Sequence, residues 1–373
     1  MKKFLAIVLI VAVVVITVAC GRGNGADGPI RIAVTAPLTG TLAVYGESIR
    51  NGAQMAADRA NAEGGIDGRM IEIVARDDRA DPNEAVSIAN AIVADSDILA
   101  VVGNFNSSLT LASSPIYNNS GIVQISPGSS SPLVSDTGEY TFRVITTDAV
   151  QGLYMATRAR DLGLRRLAVI HEQTDFGIGL LNVFNEVSGD LGLEIVAVEA
   201  YTSGLTTDFS TILTLVRQAE PDAIVIGGFY NEAVLIVQQS ARLGLDVEFL
   251  GVDALFSESL ISFGGQDVEG FRLMGFFLPG GDNHRATEFA QQYEELHGIR
   301  PDTYAAYSYD AMNLIIRALR ANGATREAVR PYLESVVDHP GVTGYINFDE
   351  RGDVLNTPTP IIIRDGRFQV DYD

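Results

Sequence analysis

The chain has 373 residues, 47% hydrophobic and 20% charged, which is ample for a packed core and too long for one typical α/β domain. A formal charge of −21 repels nucleic acid and anionic lipid headgroups, and sets both aside as binding partners. A single cysteine excludes an intramolecular disulfide, and His171, His284, His297 and His339 show no metal-ligand spacing, so no metal or other cofactor is expected.

The only lysines, Lys2 and Lys3, precede an unbroken apolar run from Phe4 to Ile16, followed by Thr17, Val18, Ala19 and Cys20. A positive start, an apolar stretch and small residues before a break predict an export signal over residues 1–19. As a helix, Phe4 to Ala19 would span roughly 24 Å, short of a bilayer's hydrocarbon core. Cleavage there removes two positive charges and takes the net charge from −21 to −23. It also exposes Cys20, ahead of the tether Gly-Arg-Gly-Asn-Gly-Ala-Asp-Gly that completes residues 20–28. The site resembles the bacterial lipoprotein box, whose cysteine sulfur receives a diacylglyceryl group. Ala19 suits that pattern, and Thr17 stands where leucine is usual. The resemblance implies lipidation at Cys20 and a membrane-anchored protein outside the cytoplasm.

From Pro29 onward, short β-branched runs alternate with helical patterns. Ile30–Val34, Ile71–Ala75 and Leu99–Gly103 read as buried strands, and Ile49, Ala53, Ala56, Ala57 and Ala60 mark one helical face between the first two. Asp81-Pro82-Asn83-Glu84 supplies a helix start, with a capping carboxylate and a proline at the first helical position. Leu167–Ile170, Glu194–Ala200, Ala223–Gly227 and Phe249–Gly251 continue the strands. Helices fall near 148–162, 177–191, 209–218 and 232–243. Long helices at Ala286–His297 and Thr303–Asn322 and a late strand at Pro360–Arg364 complete the pattern. Such alternation makes parallel sheets with helices on both faces. About five strand–helix units precede residue 147 and about four follow it. Two lobes are expected, and the pattern alone leaves open how often the chain crosses between them.

No G-x-S-x-G elbow or P-loop sequence is present. His171 lies near Glu172 and Asp175 at the end of a strand, where a histidine is ordinarily a structural hydrogen-bonding residue. Binding is expected, and catalysis is not.

In open α/β sheets, ligands sit beyond the carboxyl ends of the strands. The first strand leads to Pro37-Leu38-Thr39-Gly40 and Tyr45-Gly46. Leu99–Gly103 leads to Asn104-Phe105-Asn106-Ser107-Ser108, and Val123–Ser126 leads to Pro127-Gly128-Ser129-Ser130-Ser131-Pro132. Two hydroxyl-rich loops beside helix N-termini suit a carboxylate, because hydroxyls and free backbone N–H groups converge there. Capping explains one serine per helix start, but not the run Ser129–Ser131. In the second half, Phe176, Phe229 and Asp253 follow strands and offer apolar walls and a partner for a cation.

Taken in order, these loops resemble the leucine/isoleucine/valine-binding protein family, the type I periplasmic binding proteins of ABC importers. The resemblance rests on Pro37-Leu38-Thr39-Gly40, Tyr45-Gly46, Gly64-Gly65-Ile66 with Gly68-Arg69, and Asp77-Asp78 with Asp81-Pro82. It continues through Ser107-Ser108, Pro127-Gly128-Ser129-Ser130, Asp208-Phe209-Ser210 and Gly227-Gly228, and covers about Pro29 to Phe368. It implies two Rossmann-like lobes, each a parallel sheet flanked by helices, joined by a three-segment hinge and closing over ligand. Lobe I would comprise residues 29–147 and 278–354, and lobe II residues 148–277 and 355–373.

Carried over by position, Ser107 and Ser130 would hold a ligand carboxylate and the Gly128 carbonyl would take an ammonium hydrogen. Tyr45 would share the first lobe's side of the cleft. Asp253 would be the main ammonium partner, with Phe176, Phe229 and Tyr304 as walls. The family often has tyrosine where Phe176 and Phe229 stand and glutamate where Asp253 stands. A cysteine pair found in some members is replaced by Ala80 and Asn106. The implied function is delivery of a small amino acid, branched-chain or otherwise apolar, to an ABC permease. The same scaffold also serves binders of amides, urea or aromatic acids. A sensory module that reports occupancy to a separate signalling protein is the rival from another class.

Overall fold

The computed structural model describes residues 28–279 and 283–373. The predicted export signal and Cys20 lie outside the described residues.

Seven-residue β1 (Ile30–Ala36) is buried at six positions, as expected of a central strand covered on both faces. It runs through α1 (Ala43–Ala62) into β2 (Ile71–Asp77), then α2 (Pro82–Ala94), β3 (Ile98–Val102) and α3 (Ser107–Asn119). The short strands β4 (Val123–Ser126) and β5 (Thr141–Arg143) complete a parallel five-stranded sheet in the order β2-β1-β3-β4-β5. The start of α2 is set as the sequence predicts: Asp81 accepts the Asn83 N–H at 2.7 Å, with Pro82 at the first position.

The second sheet is built by α4 (Asp148–Asp161), β6 (Arg166–Glu172), α5 (Asp175–Ser188), β7 (Glu194–Tyr201), α6 (Ser210–Gln218) and β8 (Ala223–Gly227). It continues with α7 (Tyr230–Arg242), β9 (Glu248–Gly251), α8 (Glu258–Gly264) and β10 (Arg272–Gly275). The helix expected from residue 177 starts at Asp175, because the Thr174 hydroxyl caps the Gly177 N–H.

The chain then returns to the first lobe with α9 (His284–His297), α10 (Thr303–Asn322), α11 (Val329–Glu334) and the hairpin of β11 (His339–Gly341) and β12 (Gly344–Ile346). Helix α10 packs along α1. They approach so closely at Gly52 that a Cβ there would lie 2.0 Å from the Ala305 carbonyl oxygen. Across this contact the Ser48 hydroxyl donates to Asp302 at 2.8 Å, while Asp302 caps α10 through the Ala305 N–H.

Finally, β13 (Thr359–Arg364) and β14 (Arg367–Val370) join the second sheet, whose order is β14-β13-β10-β9-β8-β6-β7. Strand β13 pairs antiparallel with β10, so a parallel sheet acquires an antiparallel edge. The molecule therefore has two α/β lobes, the second with a mixed sheet. Among the described residues, no helix is long and apolar enough to cross a membrane.

The strand orders place the site. In the first sheet, β2 and β3 flank β1 on opposite sides, and in the second, β7 and β8 flank β6 likewise. Each reversal opens a crevice at the carboxyl ends of its strands, where the adjoining loops diverge.

Candidate ligand-binding site

The two crevices face each other, and between them lies a narrow, nearly filled pocket. One wall comes from the first lobe. Ser107 and Ser108 open α3, whose N-terminus has no side-chain capping bond, so backbone N–H groups at that end remain available. Ser107 Oγ accepts the Ser131 N–H at 3.2 Å, which leaves its own hydrogen to donate elsewhere. Gly128 and Ser130 follow β4 and line the same wall. The Gly128 backbone rests on Phe105, where a Cβ would lie 2.5 Å from the ring and 2.7 Å from the carbonyl oxygen. A glycine is required there for the loop to lie flat.

The opposite wall comes from the second lobe: Thr174 and Phe176 after β6, Phe229 after β8, and Asp253 and Ala254 after β9. Tyr304, from the start of α10, closes one end. The rings form one continuous cluster. Phe229 lies 5.7 Å from Phe176 and 5.4 Å from Phe105, and Tyr304 meets Phe105 edge-on at 4.9 Å. These contacts hold the apolar wall rigid.

Asp253 is 1% exposed. Burial pushes its carboxyl up to about 7, against the Gln151 and Tyr307 side chains and the Ala254 N–H, which pull it down. The Tyr307 hydroxyl donates at 3.5 Å, a long and weak bond. Asp253 is thus a buried acid held by neutral donors, facing a wall of donors across an apolar slot.

The structure brings Ser107, Gly128, Ser130, Phe176, Phe229, Asp253 and Tyr304 to this one pocket. It turns two other candidates away from it. The Ser129 hydroxyl sits 2.7 Å from Thr110 Oγ1 and is also directed at the Asn104 and Phe105 carbonyls, so it ties the loop to α3. Tyr45 is fully buried behind Phe105, with ring centroids 5.1 Å apart. Its hydroxyl donates to the Ala254 carbonyl at 3.1 Å and accepts the Tyr230 N–H at 3.2 Å. Tyr45 is a bridge between lobes, and its ring backs the pocket wall.

Sequence reasoning missed Asp148, Gln151 and Tyr307. Asp148 is fully buried, and among the described residues neither of its carboxylate oxygens has a partner at good hydrogen-bond geometry. Burial raises it to about 7, the nearby Ser130 hydroxyl and Arg143 charge oppose the rise, and Asp253 adds to it. Two buried acids therefore lie close enough to repel, Asp253 in the pocket wall and Asp148 beside Ser130. Asp148 follows the three-residue strand β5, too short to announce a strand exit in the sequence. Gln151 and Tyr307 lie one helical turn inside α4 and α10, where periodicity reads them as packing residues.

A two-lobed α/β fold of this kind is matched by known proteins. The family model described as "Periplasmic binding protein" matches residues 29–362. The Leu/Ile/Val-binding protein homolog 2 of Brucella abortus (strain 2308) is 33% identical over 347 residues, 91% of each chain. Among solved structures, the leucine binding protein LivK from Thermotoga maritima MSB8 superposes with a TM-score of 0.86 at 30% identity, covering 92% of this chain and 97% of that one. The substrate-binding protein LivJ of a Streptococcus pneumoniae branched-chain amino acid transporter, solved with isoleucine, gives 0.85 at 29% identity, covering 92% and 98%.

Proposed function

The chain belongs to the periplasmic binding protein family, beside the Leu/Ile/Val-binding proteins, and on that premise we propose that it captures an apolar amino acid outside the cytoplasm for an ABC importer. The observation that carries the reading is the polarity of the pocket. Ser107, Ser130 and the N-terminus of α3 offer donors on one wall, Asp253 offers a buried acid on the other, and Phe176, Phe229 and Tyr304 fill the space beside them. A zwitterion with an apolar side chain satisfies all three at once. Its ammonium supplies an opposite charge for buried Asp253.

In this reading the protein binds and does not catalyse. Lobe I comprises residues 29–147 and 278–354, lobe II residues 148–277 and 355–373, and the three crossings hinge the lobes about the ligand. Calorimetry and small-angle scattering with L-leucine, L-isoleucine and L-valine test this. At one hundred times the dissociation constant, the cognate ligand stabilises the protein by about 2.7 kcal/mol. The radius of gyration falls as the lobes close. Tighter binding of a neutral amide or an aromatic acid than of any α-amino acid would replace this ligand assignment.

The export signal over residues 1–19 and the lipid on Cys20 belong to the same proposal. The intact mass of protein recovered from membranes should lack residues 1–19 and carry the diacylglyceryl group. An unmodified Cys20, or a retained signal, would remove the anchor from the reading.

A further inference from the structure

Arg143 ends β5, and among the described residues it is the only buried arginine, 1% exposed. Its guanidinium is used in several directions. Nε donates to Asp353 Oδ1 at 2.6 Å, and Nη2 donates to the Ser135 hydroxyl, which itself donates to Asp353 Oδ2 at 2.7 Å. Nη1 donates to two carbonyls of the pocket loop, Ser129 at 3.0 Å and Ser131 at 2.8 Å. One side chain thus joins the end of β5, the segment around Asp353 and the loop after β4.

The consequence for the pocket follows from peptide geometry. In a planar trans peptide, the C=O and the next residue's N–H point in opposite directions. Drawing the Ser129 carbonyl onto Arg143 therefore aims the Ser130 N–H away from Arg143. No protein acceptor for that N–H is found among the described residues, and Ser130 lines the pocket. Rotation of that peptide would reverse the wall, bringing a carbonyl oxygen to the place where a ligand carboxylate is to be held. The charge of Arg143 is paired with Asp353 and also acts on Asp148, whereas its hold on the Ser129 and Ser131 carbonyls is one of orientation.

We propose that Arg143 is a positioning residue for carboxylate recognition, fixing the Ser129–Ser131 loop so that the pocket meets N–H and O–H donors. The proposal rests on the reading of the pocket as an amino-acid site.

Its test compares L-leucine with L-leucinol, which keeps the ammonium and the side chain and lacks the carboxylate. Arg143→Lys keeps the charge beside Asp353 and loses the planar fork. The double variant R143Q/D353N removes both charges together and guards against a misfolded single variant. In protein with a wild-type circular dichroism spectrum, leucine affinity should fall tenfold or more and leucinol affinity less than threefold. On wild-type protein, the Ser130 amide should gain exchange protection with leucine and not with leucinol. Equal losses for both ligands, undiminished leucine binding, or equal protection by both would overturn the positioning role. A wild-type protein that binds no α-amino acid would overturn the ligand reading itself, and this proposal with it.

Discussion

Asp253→Asn is expected to weaken binding of an α-amino acid by roughly 30- to 5,000-fold while leaving the fold intact. The substitution keeps the size of a side chain that is 1% exposed and removes its charge. A bound ammonium would then be desolvated against neutral acceptors alone. Truncating one member of a buried, hydrogen-bonded charge pair costs about 2–5 kcal/mol, which converts to that range. Ser107→Ala removes one hydrogen bond to a charged group, and Ser130 and the α3 N–H groups remain. It should cost about 1.5–3 kcal/mol. Titration calorimetry with the cognate ligand ranks the two. A loss of tenfold or less in Asp253→Asn would mean that no ammonium sits there.

The second large effect is of pH on closing in the absence of ligand. Burial between the lobes lifts Asp253 and Asp148 to about 7, whereas an exposed aspartate titrates near 4. The closed form therefore binds more protons than an open one between about pH 4 and 7. Closing is assisted at the acid end of that window, and the assistance is lost as pH rises through about 7. Each unit of difference is about 1.4 kcal/mol, so one carboxyl lifted three units shifts the equilibrium by about 4 kcal/mol. Without ligand, the radius of gyration at pH 5 should approach the ligand-bound value, and at pH 8 it should be larger. With leucine it should stay small at both, because the ammonium holds Asp253 ionised. Glu172, also lifted to about 7 by burial and by Glu232, contributes with the same sign to the second lobe's own stability. A ligand-free radius unchanged from pH 5 to pH 8 would refute the coupling.

Much of this architecture was legible in the sequence, for identifiable reasons. Strands such as Ile98–Val102 and Ala223–Gly227 are buried at every position, so their apolar runs stand out without any partner being known. The helix at Asp81-Pro82 carries its start signal locally. What escaped is short or non-local: three-residue β5, β11 and β12, and the four-residue β10 and β14, which owe their existence to neighbouring strands. The site divides in the same way. Loops after apolar strands gave Ser107, Ser130, Phe176, Phe229 and Asp253, because the ends of such runs can be counted. The inward turn of Ser129, the bridging hydroxyl of Tyr45 and the isolation of Asp148 depend on atoms far away in the chain. No spacing rule encodes them.

The route of the chain between the sheets has a consequence for how the molecule is assembled. The Ser48–Asp302 bond joins residues 254 apart in sequence, and the Arg143–Asp353 pair joins residues 210 apart. Strand β10 acquires its outer neighbour only when residues 359–364 arrive, and α1 acquires its helical partner only with residues 303–322. A growing chain thus carries two half-built lobes for most of its synthesis, and contacts of such long sequence separation form slowly. If the proposed export signal is used, that delay keeps the chain unfolded for its passage across the membrane. It also means that residues 30–143, although they contain a whole five-stranded sheet, leave the face of α1 that meets α10 uncovered.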